Sequence, residues 1–322
     1  MKFGVIAAAF AGLAVAAWLV FHIGLAGVAS TILSVGWGGF ALLCFCALLT
    51  FAVLGAAWFA LMAELPVSQM ANFVWARIVR DAAGEVLPFS QVGGILIGVR
   101  VLVLRGIATP VAAASSIVDV TSEMMAQIVF ILIGIVPLAI GAKAGPLPAA
   151  MIAVVVFAFA GSLAFIVLQR RGLGFAQNLA ERFLPEVAKR AENFRLAVDA
   201  IYKNPRRLAL SSLIHLIGWI ASAFAIWLAV RLVGGRLEFA AAVAIEAIVS
   251  ALRSASFVVP GALGVQEAGY AMLMPLFGLP AEIGLAVSLL KRAREVVLGV
   301  PVLLIWQGIE GHRALRTPLL ER

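Results

Sequence analysis

The sequence predicts an all-α fold: a polytopic integral membrane helical bundle with two re-entrant or broken-helix regions, forming a single transmembrane domain over residues 1–322. Three observations predict it. Of the 322 residues, 64% are hydrophobic and 12% charged, where a soluble domain carries about 25% charged residues. The mean hydropathy is +1.10. Apolar runs of about 20 residues recur along the chain, each long enough to cross a bilayer as a helix. The runs are continuous rather than alternating, so helices rather than a closed barrel satisfy the backbone in lipid.

The net charge is +8. In a soluble chain that excess would point to nucleic acid. Here Lys and Arg cluster in the loops, as the positive-inside rule requires, and no nucleic-acid partner is expected. Cys44 and Cys46 lie within an apolar run and read as packing residues, with no disulfide framework and no zinc spacing. His22, His215 and His312 are far apart in sequence. No nucleophile elbow, phosphate loop or metal box is present. The sequence therefore predicts no catalytic residues, no metal and no cofactor. The N-terminal run from Met1 to Gly24 ends in Trp18 and His22 rather than in a small-residue cleavage box, so it reads as an uncleaved first helix.

In chain order, helices are predicted at 3–22, 37–62, 124–142, 148–168, 208–231 and 296–310. The loop 169–207 orients them. It holds Arg170, Arg171, Arg182, Lys189, Arg190, Arg195, Lys203, Arg206 and Arg207 against Glu181, Glu186, Glu192 and Asp199. That excess assigns it to the cytoplasm, and Lys2 assigns the N-terminus there too. Crossings must then come in even numbers between Lys2 and this loop. Region 86–112 crosses zero or two times, and a re-entrant segment that dips in and returns fits. Pro88, Gly93 and Gly94 would break the helix, and Arg100 and Arg105 make a lipid-facing span costly. Helix 208–231 leads out and helix 296–310 leads back, so region 239–295 begins and ends on the outer side, as a broken hairpin or as two crossings. Within the loop, Leu179, Phe183, Val187, Ala191, Phe194, Val198 and Ile201 recur at helical spacing, an amphipathic helix kinked at Pro185 that lies on the membrane or caps the bundle. Residues 68–84 read similarly, with Arg77 and Asp81 at i,i+4.

Ionisable residues at membrane depth mark pathways or paired sites. The stretch SASFVVPGALGVQEAGY, Ser254 to Tyr270, sets one carboxylate among a proline and three glycines. Pro260 and Gly261 stop a helix, Gly264 allows a restart, and Glu267 falls in the first turn beyond the break, where a carboxylate is favoured. Broken helices at this depth line cavities and offer their ends to a headgroup. The other reading is an ordinary interfacial turn. Arg253 follows Glu246 by seven residues on nearly one face, and a buried pair and a structural link are both open. Lys291–Glu295, KRARE, reads as an interfacial anchor or as a cavity for an anionic headgroup. Asp119 and Glu123 read as a helix-start turn behind Ser115 and Ser116, or as paired carboxylates.

The segment VVPGALGVQEAGY resembles the Pro-Gly-x-x-Gly-x-x-Glu motif of the lysylphosphatidylglycerol synthase transmembrane-region family. AGEVLPFSQVGG (Ala83 to Gly94) and KRAREVVLGVPVLLIWQ (Lys291 to Gln307) resemble its hopanoid-biosynthesis-associated branch. The motif carries over to Pro260, Gly261, Gly264 and Glu267, and to Glu85, Ser90 and Gln91. The resemblance implies a flippase-like fold in the bacterial cytoplasmic (inner) membrane, and the distribution of basic residues together with the crossing count assigns both termini to the cytoplasm. The chain ends at Arg322 soon after its last span, so no aminoacyl-transfer domain is expected to follow.

The function expected is that of a non-enzymatic lipid transporter, handling hopanoid or phospholipid through a polar cavity between broken helices. Its substrate path would be drawn from Glu267, Gln266, Arg253, Glu246, Arg292, Arg294, Glu295, Glu85, Ser90, Gln91 and Arg100. The alternatives are an accessory subunit that partners hopanoid-biosynthesis membrane enzymes, and a membrane-embedded enzyme using Glu267 or Asp119 and Glu123.

Overall fold

The computed structural model describes residues 30, 32–86, 90–141, 156, 160, 185–256 and 259–316. Among them there are helices and no strands. The helices are α1 Gly36–Ala60, α2 Met70–Val86, α3 Ser90–Leu104, α4 Thr109–Gly141, α5 Pro185–Tyr202, α6 Pro205–Leu232, α7 Phe239–Ala255, α8 Val265–Leu273 and α9 Ala281–Arg316. The expected helices at 3–22 and 148–168 lie outside the described residues, as does Pro88.

Among the described residues, three helices are long and apolar enough to cross a membrane: α1, the Thr109–Val136 part of α4, and α6. They carry a coat of exposed large apolar side chains, among them Phe45, Leu49, Val129, Leu132, Leu213 and Ile217. An apolar exterior of this kind is what a hydrocarbon solvent selects. Asn204 caps α6 by accepting from the Arg207 amide, with Pro205 at the first position where a missing N–H costs nothing.

Two pairs of short helices sit between these spans. α2 and α3 run antiparallel: a Cβ on Gly94 would meet the Arg80 carbonyl oxygen at 2.5 Å and the Gly84 amide at 3.1 Å. α3 has 15 residues, or about 22 Å at 1.5 Å each, short of a hydrocarbon core of about 30 Å. α7 and α8 also run antiparallel, with Gly269 set against Val249 and Leu252. The chain reverses between them through Gly261, Ala262 and Gly264, all at positive φ, a conformation glycine adopts without the Cβ penalty. α9 then returns along α8, with Gly284 packed against the backbone of Tyr270 and Ala271.

Several expectations change. The return in region 86–112 is made by α2 and α3 together, so the hairpin begins at Met70 rather than at 86. Gly93 and Gly94 lie inside the unbroken α3. Gly94 serves close helix approach, not a break. α4 begins at Thr109 rather than at 124, so Asp119 and Glu123 lie in mid-helix and do not form a helix-start turn. Residues 296–310 are the second half of the 36-residue α9. Pro185 is the first described residue of α5, and Leu179 and Phe183, on which the expected kink rests, lie outside the described residues. α5 covers the bundle as expected, with Val198 and Ile201 buried against it and Asp199 exposed.

Buried apolar residues form two main cores. One gathers Trp58, Phe73, Leu102 and Val118 from α1 to α4. The other gathers Ile245, Val249, Tyr270 and Met274 from α7 and α8 with Ile226 and Val230 of α6. The site lies between them.

Candidate functional site

The C-terminal end of α2 meets the C-terminal end of α7. Arg253 Nη2 donates to Glu85 Oε1 at 2.5 Å, and Arg253 Nη1 donates to Gln266 Oε1 at 2.9 Å. The turn at Gly261 approaches both the Glu85 carbonyl and the Arg292 guanidinium. Two short helical hairpins therefore touch at their ends, and charged side chains fill the contact.

Glu267 is buried within this contact. Its Oε2 accepts from the Gly264 amide at 2.8 Å, and its Oε1 accepts from Arg292 Nε at 3.0 Å and Ser288 Oγ at 3.4 Å. It thus caps the restart of α8 and ties that helix to α9. Gln266, fully buried, donates to Ser288 Oγ at 3.0 Å. Glu246 accepts from Lys291 Nζ at 2.9 Å and Ser222 Oγ at 2.6 Å, and also from the Tyr270 hydroxyl. Glu246 and Arg253 do not pair: seven residues along a helix separate them by about 10 Å, and each finds partners on other helices. Glu295 is held loosely, 3.9 Å from Arg253 and 3.7 Å from Arg292.

Four acids here, Glu85, Glu246, Glu267 and Glu295, face three paired cations, Arg253, Lys291 and Arg292. Arg294 brings the fourth positive charge. It has no ion-pair or hydrogen-bond partner among the described residues. Together with Asp81, Glu85 and Glu295 it lines a small cleft between α1, α2 and α9, whose walls include Leu48, Phe51, Ile78 and Val302. Leu48, Leu49, Val296 and Val300 on the flanking helices are exposed. Glu85 Oε2 is buried with no hydrogen-bond partner.

The expected path residues thus separate. Glu85, Arg294 and Glu295 line the cleft. Arg253 and Arg292 sit behind it, each with one contact to Glu295. Glu267, Gln266 and Glu246 are enclosed by packing, so the break at Pro260 and Gly261 does not turn Glu267 toward the cleft. Arg100 is exposed and pairs with Glu310 at 2.7 Å on the outside of α3 and α9, away from the cleft. Ser90 and Gln91 lie in the first turn of α3.

A second ionic network lies beside the first, reached from the cleft through Asp81. Arg77 binds Asp81 at 2.7 Å and Glu123 at 2.7 Å, Arg80 binds Asp119 at 2.6 Å and Glu123 at 3.2 Å, and His215 Nε2 lies 2.9 Å from Asp119 Oδ1. Residues 68–84 do not form a surface helix: Arg77 and Arg80 are nearly fully buried. Asp119, Glu123 and His215 bring three donor atoms within 4.8 Å of one another. Both guanidiniums already occupy those carboxylates, so the arrangement suits an ion-pair network better than a metal ion. Sequence reading passed over Arg77, Arg80, His215 and Tyr270 as site members, and took Lys291 only as part of the KRARE cluster. The available signal was the i,i+3 spacing of Arg77 and Arg80, which matches the i,i+4 spacing of Asp119 and Glu123 across two helices.

Residues 5–302 match the profile of the family described as lysylphosphatidylglycerol synthase TM region. The chain belongs to that family. It is a membrane protein of helical fold, and within this family member the Pro-Gly-x-x-Gly-x-x-Glu stretch is the turn between α7 and α8 described above. Comparison with curated proteins and with solved structures returned no match.

Proposed function

We propose that the protein moves or exchanges membrane lipid between leaflets, with the headgroup lodged in the cleft between α1, α2 and α9 and the tails left in the bilayer. The observation that carries this reading is the unpaired Arg294, set beside Glu85 and Glu295 in a cleft whose flanking helices expose apolar side chains. A free guanidinium is a bidentate partner for phosphate or carboxylate, and a desolvated cation without a partner is costly unless a ligand answers it. The lipid class proposed is hopanoid or phospholipid, in the bacterial inner membrane with both termini in the cytoplasm. The role proposed is non-enzymatic.

The enclosed, mutually paired Glu246, Glu267, Lys291 and Arg292 favour a second reading, an accessory subunit for hopanoid-biosynthesis membrane enzymes whose charges hold the fold. The two separate in proteoliposomes carrying headgroup-labelled phospholipid or hopanoid probes. Exchange with wild type and its loss with Arg294→Gln supports translocation through the cleft. No exchange of either probe class with wild type overturns it and favours the accessory subunit. Exchange that persists in Arg294→Gln removes Arg294 from the path.

A further inference from the structure

The two halves of the chain repeat one order of elements. α1, α2, α3 and α4 have 25, 17, 15 and 33 residues, and α6, α7, α8 and α9 have 28, 17, 9 and 36. In each half a span precedes a short helical hairpin and a long helix follows it. The correspondence reaches single positions. Arg77 and Glu246 are each the eighth residue of their hairpin's first helix. Each pairs with the long helix that follows, Arg77 with Glu123 at 2.7 Å and Glu246 with Lys291 at 2.9 Å. The signs are reversed and the places are kept. Arg80 and Val249 are each the eleventh residue, and each meets a glycine of the second arm, Gly94 or Gly269.

Swapping the halves also reproduces the packing between them. It turns the α4–α7 contact, where Gly134 meets Ala247, into the α9–α2 contact, where Leu303 packs with Ala82 and Ala83. It turns the α1–α6 contact into itself. α1 and α6 run antiparallel: Gly39 faces Leu232, Gly218 faces Leu54, and Arg207 donates to the Ala60 carbonyl at 3.1 Å. A two-fold axis that swaps antiparallel helices lies across them, and hence in the membrane plane. Glu85 and Arg253, near the ends of α2 and α7, meet beside that axis.

The swap fails at the cleft. Asp81 and Glu85, the twelfth and sixteenth residues of α2, correspond to Ser250 and Ser254 of α7. Glu295 stands one turn beyond Lys291, as Gln127 does beyond Glu123. The three acids that line the cleft thus have three neutral polar counterparts, and these touch. Gln127 Nε2 donates to the Ser250 carbonyl at 3.2 Å and to Ser254 Oγ at 2.9 Å. Three residues on, Phe130 is completely buried and stacks on Trp219 of α6 at 5.7 Å. The cleft is open and its image is closed.

We propose that residues 36–141 and 205–316 form an inverted repeat, and that Gln127, Ser250 and Ser254 form a second headgroup seat. The seat opens toward the opposite leaflet when α9 closes on α1 and α4 parts from α6. Assigning a headgroup to it rests on the reading of the cleft as a lipid path, whereas the repeat does not. The seat offers hydroxyl and amide groups and no charge. It suits the phosphate or hydroxyl oxygens of a headgroup and holds them less tightly than a guanidinium does, as a place of release requires.

The test uses full-length protein in sealed vesicles of one orientation, in a Cys44→Ser, Cys46→Ser background. A single cysteine is introduced, by Leu298→Cys in the cleft or Ser254→Cys in the seat, and a membrane-impermeant maleimide is added to either face. Leu298→Cys should react from one face and Ser254→Cys from the other. Phe130→Ala, which removes the ring closing the seat, should speed labelling of Ser254→Cys about tenfold and slow that of Leu298→Cys by a similar factor. Gly299→Trp wedges α9 from α1, so it should slow labelling of Ser254→Cys, and it serves where the alanine variant does not fold. Labelling of both from one face, or no labelling of Ser254→Cys, overturns the proposal. So does faster labelling of Ser254→Cys with Leu298→Cys unchanged, which reports a local cavity. None of these readings uses lipid exchange. Reciprocal labelling without exchange of either lipid probe retires the translocation reading alone, and exchange without reciprocity retires the second seat alone.

Discussion

Arg253 and Glu85 are 168 residues apart in sequence and bonded at 2.5 Å, joining the ends of two helical hairpins from opposite halves of the chain. Each is about one-fifth exposed. Removing one partner leaves a largely buried charge unanswered, which costs about 3 kcal/mol. Glu85→Gln and Arg253→Gln should each lower the unfolding temperature in detergent. The exchanged pair, Glu85→Arg with Arg253→Glu, should recover part of the loss. Equal melting of wild type and both single variants would show that the tie contributes nothing.

Glu267 serves as a cap and as the partner of Arg292, so its substitutions should act on stability first. Glu267→Gln keeps an oxygen for the Gly264 amide and loses the charge pairing. Glu267→Ala loses both, with the cap alone worth about 1 kcal/mol. Thermal melts should rank wild type above Gln and Gln above Ala. An alanine variant as stable as wild type would contradict the cap.

Lys291 and Glu246 form a buried pair at 2.9 Å. Lys291→Met should destabilise strongly, because it strands the Glu246 carboxylate. The double variant Lys291→Met, Glu246→Gln should be markedly more stable than Lys291→Met alone, since no buried charge remains. A double-mutant cycle read by chemical or thermal unfolding measures the coupling. Strict additivity would rule it out.

Gly94→Ala places a methyl group 2.5 Å from the Arg80 carbonyl oxygen. Backbone cannot swing aside as a side chain does, so α2 and α3 must separate, at a cost of about 1–3 kcal/mol. Gly308→Ala is the control, since nothing lies within 4 Å of its Cβ position. The first should reduce folded yield and melting temperature, and the second should leave both unchanged.

The helical membrane fold was plain in the apolar runs, and α1 and α6 stand within three residues of their expected bounds. What the sequence concealed was pairing across helices. Arg77 and Asp81 at i,i+4 look like a solvated face because the acids that answer Arg77 and Arg80 lie some forty residues further on, at Asp119 and Glu123. The same charges made α4 look as if it began after 123, although neutralised charges sit comfortably in mid-helix. Glu267 was visible as a carboxylate at a helix restart, but the direction it faces depends on Arg292 and Ser288, which only the return of α9 brings near. Arg294 was legible as a cation out of place, and it alone of the KRARE cations remains unpaired.

One helix, α9, carries Ser288, Lys291, Arg292 and Glu295, and also Glu310, which holds Arg100. These anchors reach three other helices, α3, α7 and α8, from one rod about 54 Å long with Pro301 inside it. A turn or slide of that rod moves every anchor together, so no single bond can be released while its neighbours stay in register. The seam between the two halves of the protein is therefore all-or-none, and α9 is the part that sets which.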